Sequence, residues 1–270
     1  MQEEEKKQQT VPVVAVVLAA GFGTRFDPEN PKQLVCIADK PIVCWSIEAF
    51  ERNSRVSDIV VVVNPKVRDG IEGLIDEAGY GKVRMVIDGG AERADSTMAA
   101  LDVLKQAGIP ESATILIHDA VRPFVSQESI DESIDALDEF SAATVAFAST
   151  DTILLTHDAG ERKVITSVPD RADTFRAQTP QSFRFGTIHH AYELAASDPD
   201  FHPTDDTRVV VDYMPDEPVA IVSGSETNLK VTTLADLPTA ERIAASVTHQ
   251  LTKEEARERM HAILREAMGR

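Results

Sequence analysis

At 270 residues, with 43% hydrophobic and 27% charged side chains, the chain is long enough to bury a sizeable core as a soluble globular protein. A formal net charge of −18 excludes a broad nucleic-acid-binding face. No apolar run approaches the ~20 residues that span a bilayer. Cys36 and Cys44 are too few for a disulfide scaffold or a structural zinc site, so free, buried thiols are expected. The opening MQEEEKKQQT carries no apolar signal region, and a cytoplasmic enzyme or binding protein is expected.

Residues 1–12 read as a disordered tail. Val13 to Leu18 is apolar throughout and suits a strand buried on both faces. It breaks into Ala19-Ala20-Gly21-Phe22-Gly23-Thr24, small residues that let the backbone approach a ligand closely. Arg25, the loop prolines Pro28 and Pro31, and Lys32 follow. A glycine-rich turn with two nearby cations is suited to cradling a polyphosphate. It is neither a dinucleotide fingerprint, because Phe26 stands where Gly or Ala is needed, nor a Walker loop.

Pro41 opens a helix that carries Ile42, Trp45 and Phe50 at near-helical spacing. Ile59–Val63 is a second buried strand, ended by Asn64-Pro65, and a weak helix over 66–79 leads to a strand at Val83–Ile87. Gly89-Gly90 turns into a helix from about Ala94 to Ala107. Thr114–Ile117 is a strand, Ser126 starts a helix running to about Phe140, and Ala143–Ala148 is a further strand. This alternation predicts an α/β fold, a Rossmann-like, doubly wound and mostly parallel sheet with helices on both faces. Ligands of such sheets bind beyond the carboxyl ends of the strands, where the polar stretches DGGAERADS (88–96) and HDAVRPF (118–124) also fall.

From about 149 to 178 two alternating stretches flank Asp158-Ala159-Gly160 and predict a projecting β-hairpin arm, either an oligomer contact or a surface flap. Helices are expected over 184–197 and from Thr204-Asp205-Asp206 to Met214, with a strand at Val219–Val222 between them and the C-terminal region. Leu234–His249 and Lys253–Met268 read as two amphipathic helical stretches. The expected organisation is a single domain over 13–250, followed by a helical extension over 251–270.

Taken together, LAAGFGTRF…PKQ (18–33), DGGAERADS, HDAVRPF, DT (151–152), PDR (169–171), AQTPQSF (177–183), TDD (204–206) and NLKVTTLADL (228–237) carry a specific resemblance. The chain resembles the 2-C-methyl-D-erythritol 4-phosphate cytidylyltransferase family over roughly residues 13–245. The resemblance implies transfer of CMP from CTP to methylerythritol 4-phosphate, with release of pyrophosphate and with Mg²⁺ or another divalent cation, on the non-mevalonate route to isoprenoid precursors. It implies Arg25 and Lys32 as catalytic cations. Ala19, Ala20, Gly21, Gly23, Gly90, Ser96, Asp119 and Lys230 fall at nucleotide-binding positions, Asp119 also at the metal. Arg122, Thr152, Arg171, Thr179 and Thr204 fall at positions that hold the second substrate.

In that family the arm reaches the partner subunit's site, so the resemblance also implies a homodimer. His118 reads as structural, because a phosphate nucleophile needs no general base. Ala91 departs from the acidic residue common there, and Phe175 from a frequent Trp. A ribitol 5-phosphate cytidylyltransferase is the nearest rival reading, and a non-catalytic nucleotide-binding regulatory protein is the rival from another class.

Overall fold

Runs of β-branched residues build most of a central sheet, and the helices between them cover both of its faces. The structure is a computed structural model that describes residues 11–21, 31–198 and 201–268. The strands are β1 (Val13–Ala19), β2 (Cys36–Ile37), β3 (Lys40–Pro41), β4 (Asp58–Val63), β5 (Val83–Asp88) and β6 (Thr114–Asp119). They continue as β7 (Ala142–Ala148), β8 (Leu155–Ala159), β9 (Arg162–Ser167), β10 (Phe175–Arg184) and β11 (Val219–Ser223). The helices are α1 (Ile42–Arg52), α2 (Arg68–Ala78), α3 (Arg93–Gln106), α4 (Gln127–Asp135), α5 (Phe185–Ala195), α6 (Asp206–Tyr213) and α7 (Leu237–Met268).

The main sheet has seven strands in the order β11-β7-β10-β6-β1-β4-β5. Every pairing is parallel except those of β10, which runs antiparallel to both β6 and β7. One face buries Val14, Val16, Val60, Val62, Ile115 and Ile117 against Leu101 and Leu104 of α3 and Ile188 and Tyr192 of α5. The other buries Ala15, Val17, Ile59, Val61 and Leu116 against Ile47 and Phe50 of α1, Ile71 of α2 and Ile130 of α4. Alternate residues of the same strands thus serve two cores, which is why these strands read as continuous apolar runs.

The expected α/β architecture is present, with corrections. β10 was not expected: its segment carries Gln178, Thr179, Gln181 and Ser182, all buried, and a proline. Pro180 falls where the β10–β7 register shifts between Ala177 and Gln181, so an irregularity admits it to the sheet interior. The arm leaves the sheet after Ala148 and rejoins it at Phe175, with β8 and β9 forming a separate two-stranded hairpin. The two C-terminal stretches form one helix, α7, with no glycine or proline to part them.

A small hairpin, β2–β3, also escaped prediction. Its turn residues Ala38 and Asp39 both take positive φ, 47° and 61°, where Asn-Gly would be the usual signal. The Glu241 carboxylate of α7 accepts from Ala38 N at 3.1 Å and holds that turn. Cys44 is buried as expected, but Cys36, on this narrow hairpin, is exposed. None of the described helices is long and apolar enough to cross a membrane.

Candidate active site

The strand register sets the site. Leu18 lies beside Val62 and Asp119, and Ala19 beside Val63, which itself lies beside Asp88, so β1, β4, β5 and β6 end along one edge. A cavity of about 290 Å³ opens there, lined by Ala19, Ala20, Gly21, Lys32, Gly90, Ser96, Asp119 and Lys230. These eight predicted residues come from four separate segments, and the fold brings them to one place. A larger groove between α1 and α7, lined by Trp45, Arg242 and Val247, holds none of the predicted residues.

The glycine turn after β5 is there for lack of space. A Cβ on Gly89 would stand 2.4 Å from the Ala20 Cβ, and one on Gly90 2.1 Å from the Asp95 Cβ. Ser96 Oγ accepts from Gly90 N and donates to Glu92 O, both at 3.2 Å, so this hydroxyl holds the turn to the first coil of α3. Asp95 accepts from Glu92 N at 2.9 Å and so caps the start of α3.

Asp119 is the electrostatic centre. Arg93 Nε reaches its Oδ1 at 3.1 Å and Lys230 Nζ its Oδ2 at 2.7 Å. Burial alone would raise the Asp119 pKa, but Arg93, Lys230 and Arg122 hold it well below the ordinary carboxylate range. It is an anion at any physiological pH. Among the described residues no three His, Cys, Asp or Glu side chains gather to form a metal cage. The donor set still fits Mg²⁺, which is commonly held by one or two carboxylates together with substrate phosphates and water.

His118 points to the other side of the strand from Asp119 and is fully buried. Its Nε2 donates to Arg122 O at 3.0 Å, so its Nδ1 is the acceptor, 2.9 Å from Thr179 Oγ1. The same Thr179 oxygen accepts from Asp119 N at 3.2 Å. Burial lowers the His118 pKa to about 4, and the neutral ring packs edge-on to Phe50. It is a structural strut, as expected.

The remaining predicted residues scatter. Arg122 is tied to the carbonyls of Asn228 (2.8 Å) and Ala177 (3.3 Å), and burial lowers its pKa. Thr179, on β10, is buried against the end of β6 through His118 and Asp119. Thr204 is exposed just ahead of α6. Thr152 and Arg171 are exposed on the arm and hydrogen-bonded to each other at 3.2 Å, and neither lines the cavity. Gly23 and Arg25 lie outside the described residues.

Three residues at the site were missed. Gln33 is buried and donates from Nε2 to Ala19 O (2.7 Å) and Gly21 O (2.5 Å), bracing the chain where it leaves β1. Arg93 bridges Asp119 to Asp206, which is wholly buried. All three stand inside the motifs PKQ, ERADS and TDD, but periodicity could not separate a buried anchor from a solvated charge.

Comparison with known proteins gives the family and agrees with the fold. Residues 13–246 match the family model described as 2-C-methyl-D-erythritol 4-phosphate cytidylyltransferase. A Bifidobacterium longum (strain DJO10A) protein of that name is 74% identical over 264 residues, covering 98% of this chain and 91% of the relative. A Haemophilus influenzae bifunctional ribulose 5-phosphate reductase/CDP-ribitol pyrophosphorylase is 36% identical over 236 residues, 87% of this chain but 49% of the relative. The crystal structure of 4-diphosphocytidyl-2C-methyl-D-erythritol synthase from Anaerococcus prevotii superposes with a TM-score of 0.75 at 27% identity, over 87% of this chain and 96% of that one. The chain belongs to the 2-C-methyl-D-erythritol 4-phosphate cytidylyltransferase family, a family of nucleotidyltransferases.

Proposed function

We propose that the chain transfers the cytidylyl group of CTP to 2-C-methyl-D-erythritol 4-phosphate. A phosphate oxygen of the acceptor forms a bond to the α-phosphorus, the α–β anhydride bond breaks, and pyrophosphate leaves. No protein nucleophile is needed. Catalysis rests on positioning and on neutralising charge as it shifts to the leaving group. The observation that carries the reading is the convergence of Lys32, Asp119 and Lys230 on one small cavity walled by the Ala19–Gly21 and Gly90 backbone.

In this reading the two backbone turns enclose the base and ribose, with Ser96 keeping Gly90 in place. Lys32, with Arg25, takes the charge of the α-phosphate and pyrophosphate. Asp119 would hold a divalent cation, which supplies charge neutralisation at the triphosphate. Lys230 sits where it can exchange Asp119 for a phosphate. The family resemblance assigns Arg122, Thr179 and Thr204 to the acceptor.

Thr152 and Arg171 belong to the acceptor site of a partner subunit, as the family resemblance implies and as their exposure on an arm that does not line this chain's cavity supports. The arm carries exposed Leu154, Leu155, Ile165 and Val168, an apolar surface suited to burial in a homodimer. The test is pyrophosphate release from CTP and Mg²⁺ with methylerythritol 4-phosphate or ribitol 5-phosphate as acceptor. Turnover with the first alone supports the proposal. Turnover with ribitol 5-phosphate alone moves the enzyme to that substrate, and a folded protein silent with both is a binding protein.

A further inference from the structure

We infer that Arg93 is a positioning residue that acts through Asp119, holding one carboxylate oxygen fast so that only the other is exchangeable. The inference deepens the cytidylyltransferase reading and rests on it. Its basis is the unequal way in which the two cations are held.

Arg93 opens α3, and its guanidinium spans two carboxylates, Nε to Asp119 Oδ1 at 3.1 Å and Nη1 to Asp206 Oδ2 at 2.6 Å. Asp206 cannot follow a moving partner. Its Oδ1 takes the Tyr192 hydroxyl at 2.7 Å, its backbone N–H donates to Gln181 Oε1 at 2.8 Å, and its side chain is 0% exposed. Residues of β10, α5 and α6 thus clamp one end of the Arg93 fork, and Asp119 occupies the other.

Lys230 is held differently. It is 41% exposed, stands on the irregular segment after β11, and meets Asp119 through one flexible ammonium. A triphosphate entering the cavity offers that ammonium a more highly charged partner, whereas a fork committed to two buried carboxylates has little to gain by leaving them. Asp119 Oδ2 is therefore the oxygen released on substrate entry, and Oδ1 stays fixed as the pivot. Without Arg93 the carboxylate would be free to turn and pair with Lys230 through both oxygens, withdrawing both groups from the nucleotide.

A double-mutant cycle tests this, read as affinity for Mg²⁺–CTP by calorimetry and as kcat and KM in the coupled assay. Arg93→Lys is expected to weaken Mg²⁺–CTP about 10-fold and kcat by about 10- to 100-fold, with KM for the polyol phosphate nearly unchanged. In an Asp119→Asn background the same substitution should change neither quantity by more than about twofold. Tyr192→Phe removes a single hydroxyl from the clamp. It should give a smaller loss of the same kind, also absent beside Asp119→Asn, and it carries the cycle alone if Arg93→Lys does not fold. Equal losses in both backgrounds would show that Arg93 merely supports the fold and would overturn the inference. Wild-type protein that binds Mg²⁺–CTP but turns over neither acceptor would remove the proposed function, while the calorimetric cycle would still decide the role of Arg93.

Discussion

A single buried imidazole illustrates how much one residue on β6 controls. His118 is neutral in the fold because burial strips the ring of water, and with Nε2 donating to the Arg122 carbonyl its Nδ1 serves as the acceptor for Thr179. Its folded pKa of about 4 lies below the ordinary value near 6.5. The unfolded chain therefore binds a proton that the folded chain refuses between those two values. Stability attributable to His118 is complete above about pH 6.5 and is lost as pH falls toward 4, with a slope of up to about 1.4 kcal/mol per pH unit. Urea unfolding from pH 7.5 to 4.5 should show this decline, and His118→Gln should flatten it. An unchanged slope in the variant would place the titration elsewhere. Lys32 makes a different prediction, because it lines the cavity instead of supporting the strand. Lys32→Ala is expected to lower kcat by about 10²-fold or more, in line with the loss of a transition-state charge partner, while leaving the melting temperature within a few degrees. A variant that keeps its turnover would remove Lys32 from the catalytic cations.

At the scale of elements, β10 does the most with the least apolar sequence. It crosses the sheet centre between β6 and β7, and its polar side chains form the joints of neighbouring elements. Gln181 Oε1 receives the backbone N–H of Asp206 at 2.8 Å and of Thr207 at 3.4 Å, and so ends the coil before α6. Gln178 Nε2 donates to Ser225 O at 2.7 Å. Gln181→Leu keeps the volume but leaves these buried donors without an acceptor, at a cost of about 1–3 kcal/mol. Chemical denaturation should show that loss, and a neutral result would mean that the start of α6 finds water instead. The same strand shows where sequence reading stops. β1, β4 and β6 were legible because burial on both faces demands an unbroken apolar run, and their carboxyl ends, with that of the edge strand β5, then located the cavity. β10 was not, because its burial is satisfied by hydrogen bonds that only the tertiary structure supplies. For the same reason Arg93 and Gln33 passed as motif letters. Their partners Asp206 and Ala19 O stand 113 and 14 residues away, and no local spacing reveals that.

For the whole molecule the unresolved economy is the arm. An isolated two-stranded ribbon is marginal in water, and this one exposes Leu155 (51%), Ile165 (55%) and Val168 (55%) beyond the body of its own chain. If two chains bury these arms against one another, the solution mass should be twice 29.5 kDa by light scattering. Replacing Leu155 and Ile165 by Asp should give monomers with an intact fold. A wild-type monomer would end the proposal. Which site the arm serves is a separate question, and mixing defective subunits answers it. Lys32→Ala disables the cavity of its own chain, whereas Arg171→Ala disables the site reached by its arm. If arms cross, a mixed dimer gathers both lesions in one site and leaves the other intact. Random exchange of equal amounts then makes half the dimers mixed and restores about a quarter of wild-type turnover. If each arm serves its own chain, every site in the mixture carries one lesion or the other, and turnover stays at the level of the separate variants. Arg171 and Thr152 are exposed on the arm and take no part in the cavity lined by Lys32 and Asp119, which favours the crossed arrangement.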